Sequence, residues 1–412
     1  MIYVHVPFCK SFCTYCGFYS ETASCYGRYA EALCREAALR GADIAGTMDV
    51  NTLYVGGGTP SVMPLHLFSR MVEGIHEAAG VKDFEEFTVE VNPEDVVEKS
   101  EAYAEGLLKM GVNRVSMGVQ SFDDGVLRWM NRRHNAEGAV RAYRILERAG
   151  FENISIDLIF GLPSVRNSAG QYVPLLSDGL WKETLEKALE ISACGRFPRH
   201  ISAYQLSVEP DSALDSLLAS GRCREASDED CARQYDILCS VLGEAGYNHY
   251  EISNFAQPGY EARHNSAYWR HQPYCGLGPG AHSLRIADGG VCERSWNAPE
   301  LESYLGFYGS VDCGAVPREK IRGGEVLSAE QVGIENVMLG LRTAGGCPED
   351  KLRAACRAEQ IETALVSGHL ARVDAPASMR SYGEDSNSCG SFLRIPEEHF
   401  FISDSIISDL LA

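Results

Sequence analysis

The chain alternates between two hydrophobic periods. Short apolar runs at 52–55, 87–91, 114–119, 154–160 and 200–206, rich in β-branched and aromatic residues, read as strands. Between them, 26–40, 65–79 and 137–149 repeat their apolar residues at helical spacing. One more strand opens the chain, Tyr3-Val4-His5-Val6, and Pro7 closes it. Six strands with helical crossovers predict an α/β fold built on a parallel sheet, curved or barrel-like. The stretches 164–170 and 177–179 are polar and contain glycine, so they read as surface loop, with a lid role left open.

Beyond about residue 300 the pattern becomes helical, with 329–341 and 405–411 as helices and the Ser-, Gly- and Asp-rich stretch 374–391 as a wing or loop. A length of 412 residues exceeds what one core usually organises. The expected division is a barrel at 1–240, an extension at 241–300 and a C-terminal domain at 301–412. A formal charge of −20 argues against nucleic acid and against a strongly anionic membrane surface. There is no basic start and no long apolar stretch, so the chain reads as cytoplasmic.

Fifteen cysteines are an odd number without a signal peptide, which disfavours a disulfide framework. Isolated ones such as Cys34, Cys194 and Cys239 read as small buried hydrophobes. Cys9, Cys13 and Cys16 are different, because this cluster should arise by chance only ~0.02 times in such a chain. A structural zinc wants a fourth ligand, for which His5 or a distant residue would have to serve. Three thiolates instead suit a [4Fe–4S] cluster with one iron left open. They follow a strand directly, and the C-terminal ends of strands are where α/β barrels carry their chemistry.

Other strand ends carry polar residues. Gly56-Gly57-Gly58-Thr59-Pro60 either turns tightly or lets backbone approach a ligand. Glu90 and Gln120 close the third and fourth strands, and Asn131-Arg132 follows. Asp157 interrupts an apolar strand, which calls for a buried salt bridge or a ligand.

With these motifs in this order, together with Asp157-Leu158-Ile159-Phe160-Gly161-Leu162-Pro163, the sequence resembles the radical-SAM superfamily over roughly residues 1–345. More closely it resembles the branch holding oxygen-independent coproporphyrinogen III oxidase and the haem chaperone HemW. The resemblance implies a partial (β/α)6 barrel with a C-terminal winged-helix-like domain. It implies a [4Fe–4S] cluster on Cys9, Cys13 and Cys16 whose open iron takes S-adenosylmethionine (SAM). Tyr3, Tyr15, Gly57, Gly58, Thr59, Glu90, Gln120, Arg132 and Asp157 are the SAM-contacting set it implies. Cluster and SAM together would yield a deoxyadenosyl radical.

Within that branch three features favour the chaperone side. The oxidase type carries a further cysteine where this chain has Phe18, and a longer N-terminal segment where this chain begins eight residues before Cys9. His264-Asn265-Ser266-Ala267-Tyr268-Trp269 matches the H-N-x-x-Y-W motif tied to haem, in which His264, Asn265, Tyr268 and Trp269 would form the site. Such a histidine beside aromatics offers an axial ligand and an apolar surface, although structural packing explains it as well. Cys275 and His282 are further ligand candidates, with packing the plainer reading.

The function so implied is a carrier that binds haem and passes it to apo haem proteins such as respiratory enzymes, with brief membrane visits on delivery. It would need an electron donor for its cluster, and a second copy of the chain is an optional partner. The rival is oxygen-independent oxidative decarboxylation of coproporphyrinogen III. A zinc-stabilised binding module comes third, since it leaves Glu90 and Asp157 unexplained. A winged-helix outline could point to DNA, but the acidic charge opposes that.

Overall fold

Six parallel strands lie in sequence order: β1 (Ile2–Val6), β2 (Thr52–Gly57), β3 (Glu86–Val91), β4 (Arg114–Gln120), β5 (Asn153–Phe160) and β6 (His200–Gln205). This computed structural model describes residues 1–17, 19–22, 25–287, 289–309, 321–374 and 391–412. Cys275–Leu277 adds a parallel strand beside β1, and the antiparallel pair Asn254–Ala256 and Asn248–Glu251 extends the sheet beyond β6. The nine-stranded sheet is open, because its two outer strands do not pair with each other. The (β/α)6 wall that the resemblance implied is present.

The helices follow from their ends. Asn92, Asn135, Ser177 and Ser227 each accept a backbone N–H at a helix start, before Pro93–Lys109, Ala136–Ala149, Asp178–Leu189 and Asp228–Glu244. Gly80 and Gly150 terminate Leu65–Ala79 and Ala136–Ala149 in the left-handed conformation.

Parallel strands usually read as continuous apolar runs. Here they alternate. Val4, Val55, Phe87, Val115, Ile156 and Ile201 are buried in the core between sheet and helices. The intervening residues, including Thr52, Tyr54, Glu90, Ser116, Asp157 and Ser202, turn to the other face and fill the barrel's interior with polar groups.

Residues 164–174 differ from the loop expected. Ser164–Arg166 pairs with Tyr172–Pro174, and Cys223–Arg224 adds a third strand. The polar residues form the turn, where Asn167 Oδ1 accepts from the N–H groups of Ala169 (3.0 Å) and Gln171 (2.9 Å). Cys194 is also not the buried hydrophobe expected, because it lies exposed in the turn after Asp178–Leu189. Cys34 and Cys239 are half-buried.

Leu301–Tyr308 packs on Tyr26–Leu39, where Tyr304 donates to Glu36 Oε2 (2.7 Å). Arg322–Val326 pairs with Cys292–Asn297. After these come Ala329–Gly340, Glu349–Ala355, Ala358–Val366 and Ser403–Leu411, with a small antiparallel sheet in which Phe392–Arg394 lies between Cys347–Pro348 and Ala371–Val373. Helices on such a sheet give the winged-helix outline. Of the polar stretch 374–391, residues 375–390 lie outside the described residues, as does Phe18. The C-terminal unit joins the outer strand Asn248–Glu251, with Ile252 N–H donating to Arg342 O (3.1 Å) and Ala344 N–H to Tyr250 O (3.0 Å).

Candidate functional site

The cysteine loop leaves β1 at Pro7 and is tied down along its length. Cys9 N–H donates to Glu21 O (3.0 Å) and Glu21 N–H to Pro7 O (2.7 Å). Thr14 reaches the segment after β4, its N–H donating to Met130 O (3.1 Å) and its hydroxyl to Trp129 O (2.7 Å). Asn131, at φ 58°, donates from Nδ2 to Phe12 O (2.7 Å).

The glycine run behind β2 does more than turn. Gly58 N–H donates to Val6 O (2.8 Å) and Thr59 N–H to Phe8 O (2.7 Å), which seats the run against the cysteine loop. A Cβ at Gly57 would stand 2.5 Å from His5 Nδ1, and one at Gly58 2.7 Å from Phe8 O. Only glycine permits this approach.

The loops frame a cavity of about 580 Å³ over the C-terminal ends of the strands. Cys9, Cys13, Cys16, Tyr15, Gly57, Gly58, Thr59, Glu90, Gln120, Arg132 and Asp157 all line it. Tyr3 does not; its hydroxyl turns to His5 Nδ1 (3.1 Å). The other ring nitrogen of His5 meets Tyr19 O (3.1 Å), so His5 is spoken for and is no fourth ligand to a metal held by the cysteines.

Two carboxyl groups of the cavity wall, both on strands, have little to neutralise them. Glu90 accepts from the Tyr54 hydroxyl (2.7 Å) and from Gly57 N–H (3.2 Å). Burial, helped by the nearby Asp157, outweighs these bonds and pushes the Glu90 carboxyl up to about 7. Asp157 receives Ser116 Oγ at 3.1 and 3.0 Å on its two oxygens, yet burial still raises it. Among the described residues it forms no ion pair, so a buried salt bridge does not account for it.

Arg132 supplies the cavity's buried cation. Nη1 lies 3.2 Å from Cys13 Sγ, Nη2 donates to Gly118 O (2.7 Å), and buried Nε has no partner among the described residues. Burial works against its charge, but Tyr15 and Cys13 beside it more than offset this and raise its pKa. Gln120 sits at φ 68°, where the β4–β5 register slips between Gly118 and Gln120. A non-glycine residue held there is strain of the kind that collects at binding sites.

Sequence reasoning missed Tyr54, Ser116, Tyr204 and Glu209, which also line the cavity. A signal existed for two of them. Strand side chains repeat every second residue, so Ser116 shares a face with Gly118 and Gln120, and Tyr54 shares one with Gly56.

The other expected cluster lies at the opposite end of the barrel. The helix Arg263–Trp269 covers the N-terminal ends of β2 and β3, where Glu86 accepts the N–H groups of Arg263 (2.8 Å) and His264 (2.9 Å). His264 is only 1% exposed. Its Nδ1 bonds with Thr52 Oγ1 (2.8 Å) and its Nε2 with the Tyr268 hydroxyl (3.2 Å). Burial pulls its pKa down to about 3, so the ring stays neutral. Asn265, Tyr268 and Trp269 are half-buried. In this arrangement the imidazole has no nitrogen to offer iron. Cys275 is buried, while His282 is exposed and stacks on Trp296 with ring centroids 5.7 Å apart.

The Radical SAM superfamily profile matches residues 3–168. Heme chaperone HemW of Lactococcus lactis subsp. lactis (strain IL1403) is 34% identical over 351 residues, covering 85% of this chain and 83% of its own. The chain belongs to the HemW family. Heme chaperone HemW of Synechocystis sp. (strain ATCC 27184 / PCC 6803 / Kazusa) is 33% identical over 392 residues, 93% of this chain and 87% of its own. Among solved structures, the coproporphyrinogen III oxidase HemN of Escherichia coli, a radical SAM enzyme, superposes with a TM-score of 0.72 at 20% identity. That match covers 99% of this chain and 89% of HemN and shows a shared fold. The HemW relatives thus show the family that the motifs implied, and HemN shows its fold.

Proposed function

We propose that this HemW-family chain is a [4Fe–4S] protein of radical-SAM type that binds haem and hands it to apo haem proteins. The observation that carries the cofactor half is one cavity lined by three thiols, two carboxyls raised by burial, and a buried arginine. Among the described residues no three His, Cys, Asp or Glu side chains gather as a single ion requires. Thiols spread around a cavity suit a cubane in which each binds a different iron, rather than one zinc.

Cys9, Cys13 and Cys16 would hold the cluster, and the fourth iron would take SAM. Glu90 and Asp157 would accept from its ammonium and ribose hydroxyl groups, Arg132 would meet its carboxylate, and the glycine run would let its backbone close in. A cluster and SAM held there would supply one-electron cleavage of the S–C5′ bond of SAM, with methionine leaving and a deoxyadenosyl radical formed. Tyr54 and Ser116 hold the two carboxylates in place from beneath.

The haem half rests on the chaperone names of the relatives and on the HNxxYW motif. Ligation through His264 would require the helix Arg263–Trp269 to withdraw from the barrel floor. Among the described residues no helix is long and apolar enough to cross a membrane. A cytoplasmic carrier that visits the membrane to meet respiratory enzymes is in keeping with that.

The test is a haem titration on anaerobically reconstituted protein. We expect a Soret band that His264→Ala weakens; an unchanged affinity would remove His264 from the site. The engaged state of His264 favours a second reading, in which the cavity oxidatively decarboxylates the propionates of coproporphyrinogen III. Turnover of that substrate with SAM and a reductant, on the same preparation, would establish it.

A further inference from the structure

Consecutive residues after β4 grip the middle cysteine from every side. Thr14 donates its hydroxyl to Trp129 O (2.7 Å) and its N–H to Met130 O (3.1 Å). Asn131 Nδ2 donates to Phe12 O (2.7 Å), and Arg132 Nη1 lies 3.2 Å from Cys13 Sγ. Residues 129–132 thus hold Cys13 by both its neighbours and by its own sulfur. Asn131 keeps φ at 58° to do so, a conformation uncommon outside glycine.

The guanidinium is aimed as well as near. Arg132 N–H donates to Leu127 O (2.9 Å), and Nη2 donates to Gly118 O (2.7 Å). A Cβ at Gly118 would stand 3.2 Å from Nη2, so the glycine leaves the group its room. Cys9 is met differently. Thr59 Oγ1 lies 3.4 Å from its sulfur, and Thr59 N–H fixes that residue by donating to Phe8 O (2.7 Å).

A cysteine sulfur bound to iron carries no proton, so both contacts can then run only from Arg132 and Thr59 toward sulfur. A cluster that accepts an electron gains negative charge, which its thiolates share. Donors aimed at those sulfurs therefore favour the reduced form, and hydrogen bonds to sulfur are among the factors that set such potentials. A charged donor counts about twice as much as a neutral one.

We infer that Arg132, through Cys13, and Thr59, through Cys9, raise the reduction potential of a cluster held by Cys9, Cys13 and Cys16. This rests on the cluster placement proposed above and gives Arg132 a task before SAM arrives. Neither residue ligates iron; each acts through a thiolate. The electron comes from an external one-electron donor, and no bond forms or breaks.

The experiment is a potentiometric titration of the anaerobically reconstituted full chain without SAM, with viologens as donors and the cluster's absorption as readout. Arg132→Gln should shift the reduction equilibrium about tenfold toward the oxidised form, ~59 mV for one electron. Thr59→Val should shift it the same way by less. Arg132→Lys keeps the charge and Thr59→Ser the hydroxyl, so each should recover most of the loss. A parent-like potential in either Arg132→Gln or Thr59→Val overturns the proposal, so a variant that fails to assemble leaves the other to decide. Equal losses in Arg132→Gln and Arg132→Lys would reveal a merely structural role and overturn it too. A parent chain without any iron–sulfur centre would sink the cluster placement instead.

Discussion

Two places in one barrel, the cavity at its C-terminal end and the surroundings of His264 at its N-terminal end, are built from the same strands and treat their polar groups differently. In the cavity the polar groups are under-served: Glu90 and Asp157 are raised by burial, Arg132 Nε has no partner among the described residues, and Gln120 sits in a left-handed conformation. At the N-terminal end the helix Arg263–Trp269 is fully accommodated, with Glu86, Thr52 and Tyr268 answering each polar group of His264. Groups left wanting are what a ligand satisfies, and groups already satisfied hold the fold together. The contrast separates a site from a seal more clearly than residue type does, since both ends carry the acids, hydroxyls and aromatics that sequence motifs single out.

The largest effect that would break this contrast is loss of the cluster. Replacing Cys9, Cys13 and Cys16 by Ala should take iron from about four per chain to none, while the melting temperature of the metal-free protein stays put. Metal analysis and calorimetry check both halves. At the sealed end His264→Ala should instead cost about 3 kcal/mol of stability, through a cavity and two orphaned hydroxyls, and leave iron content unchanged. Equal stability in denaturant would show that the seal is not structural.

Gly58→Ala lies between these cases. The new Cβ would meet backbone at Phe8 O (2.7 Å) and Val6 O (2.8 Å), which should cost about 2 kcal/mol and impair cluster assembly as well. The smallest effect is one of pH. Glu90 at about 7 is protonated in weakly acidic buffer, so SAM affinity should fall as pH drops below 7, by at most tenfold per unit. Calorimetric titration should find that slope in the parent and a flat profile in Glu90→Gln.

Much of this was legible in the sequence because strand and helix periods are local. β1 through β6 and the main crossover helices fall within a residue or two of the segments expected, and eleven of the twelve residues expected around cluster and SAM share the cavity. Tyr3 stands apart from the cavity because its hydroxyl meets His5, two residues on along the same strand. The hairpin at 164–174 was hidden by its polar turn, whose Asn167 bonds resemble any loop in composition. For His264 the motif was legible, and its buried setting was not. A histidine among aromatics looks the same whether it faces a macrocycle or a barrel floor, and only Thr52, some two hundred positions earlier, tells the two apart.

An open sheet also has flanks to protect. The bonds from Ile252 N–H to Arg342 O and from Ala344 N–H to Tyr250 O cover the outer strand Asn248–Glu251. On the other flank, Gly276 N–H donates to Ser283 Oγ (3.0 Å) and Gly276 O accepts from Arg40. Such unpaired backbone is otherwise a template on which foreign chains add strands. The C-terminal unit thus caps that edge, and a chain shortened before residue 342 is expected to scatter light and precipitate even with its cysteine loop intact.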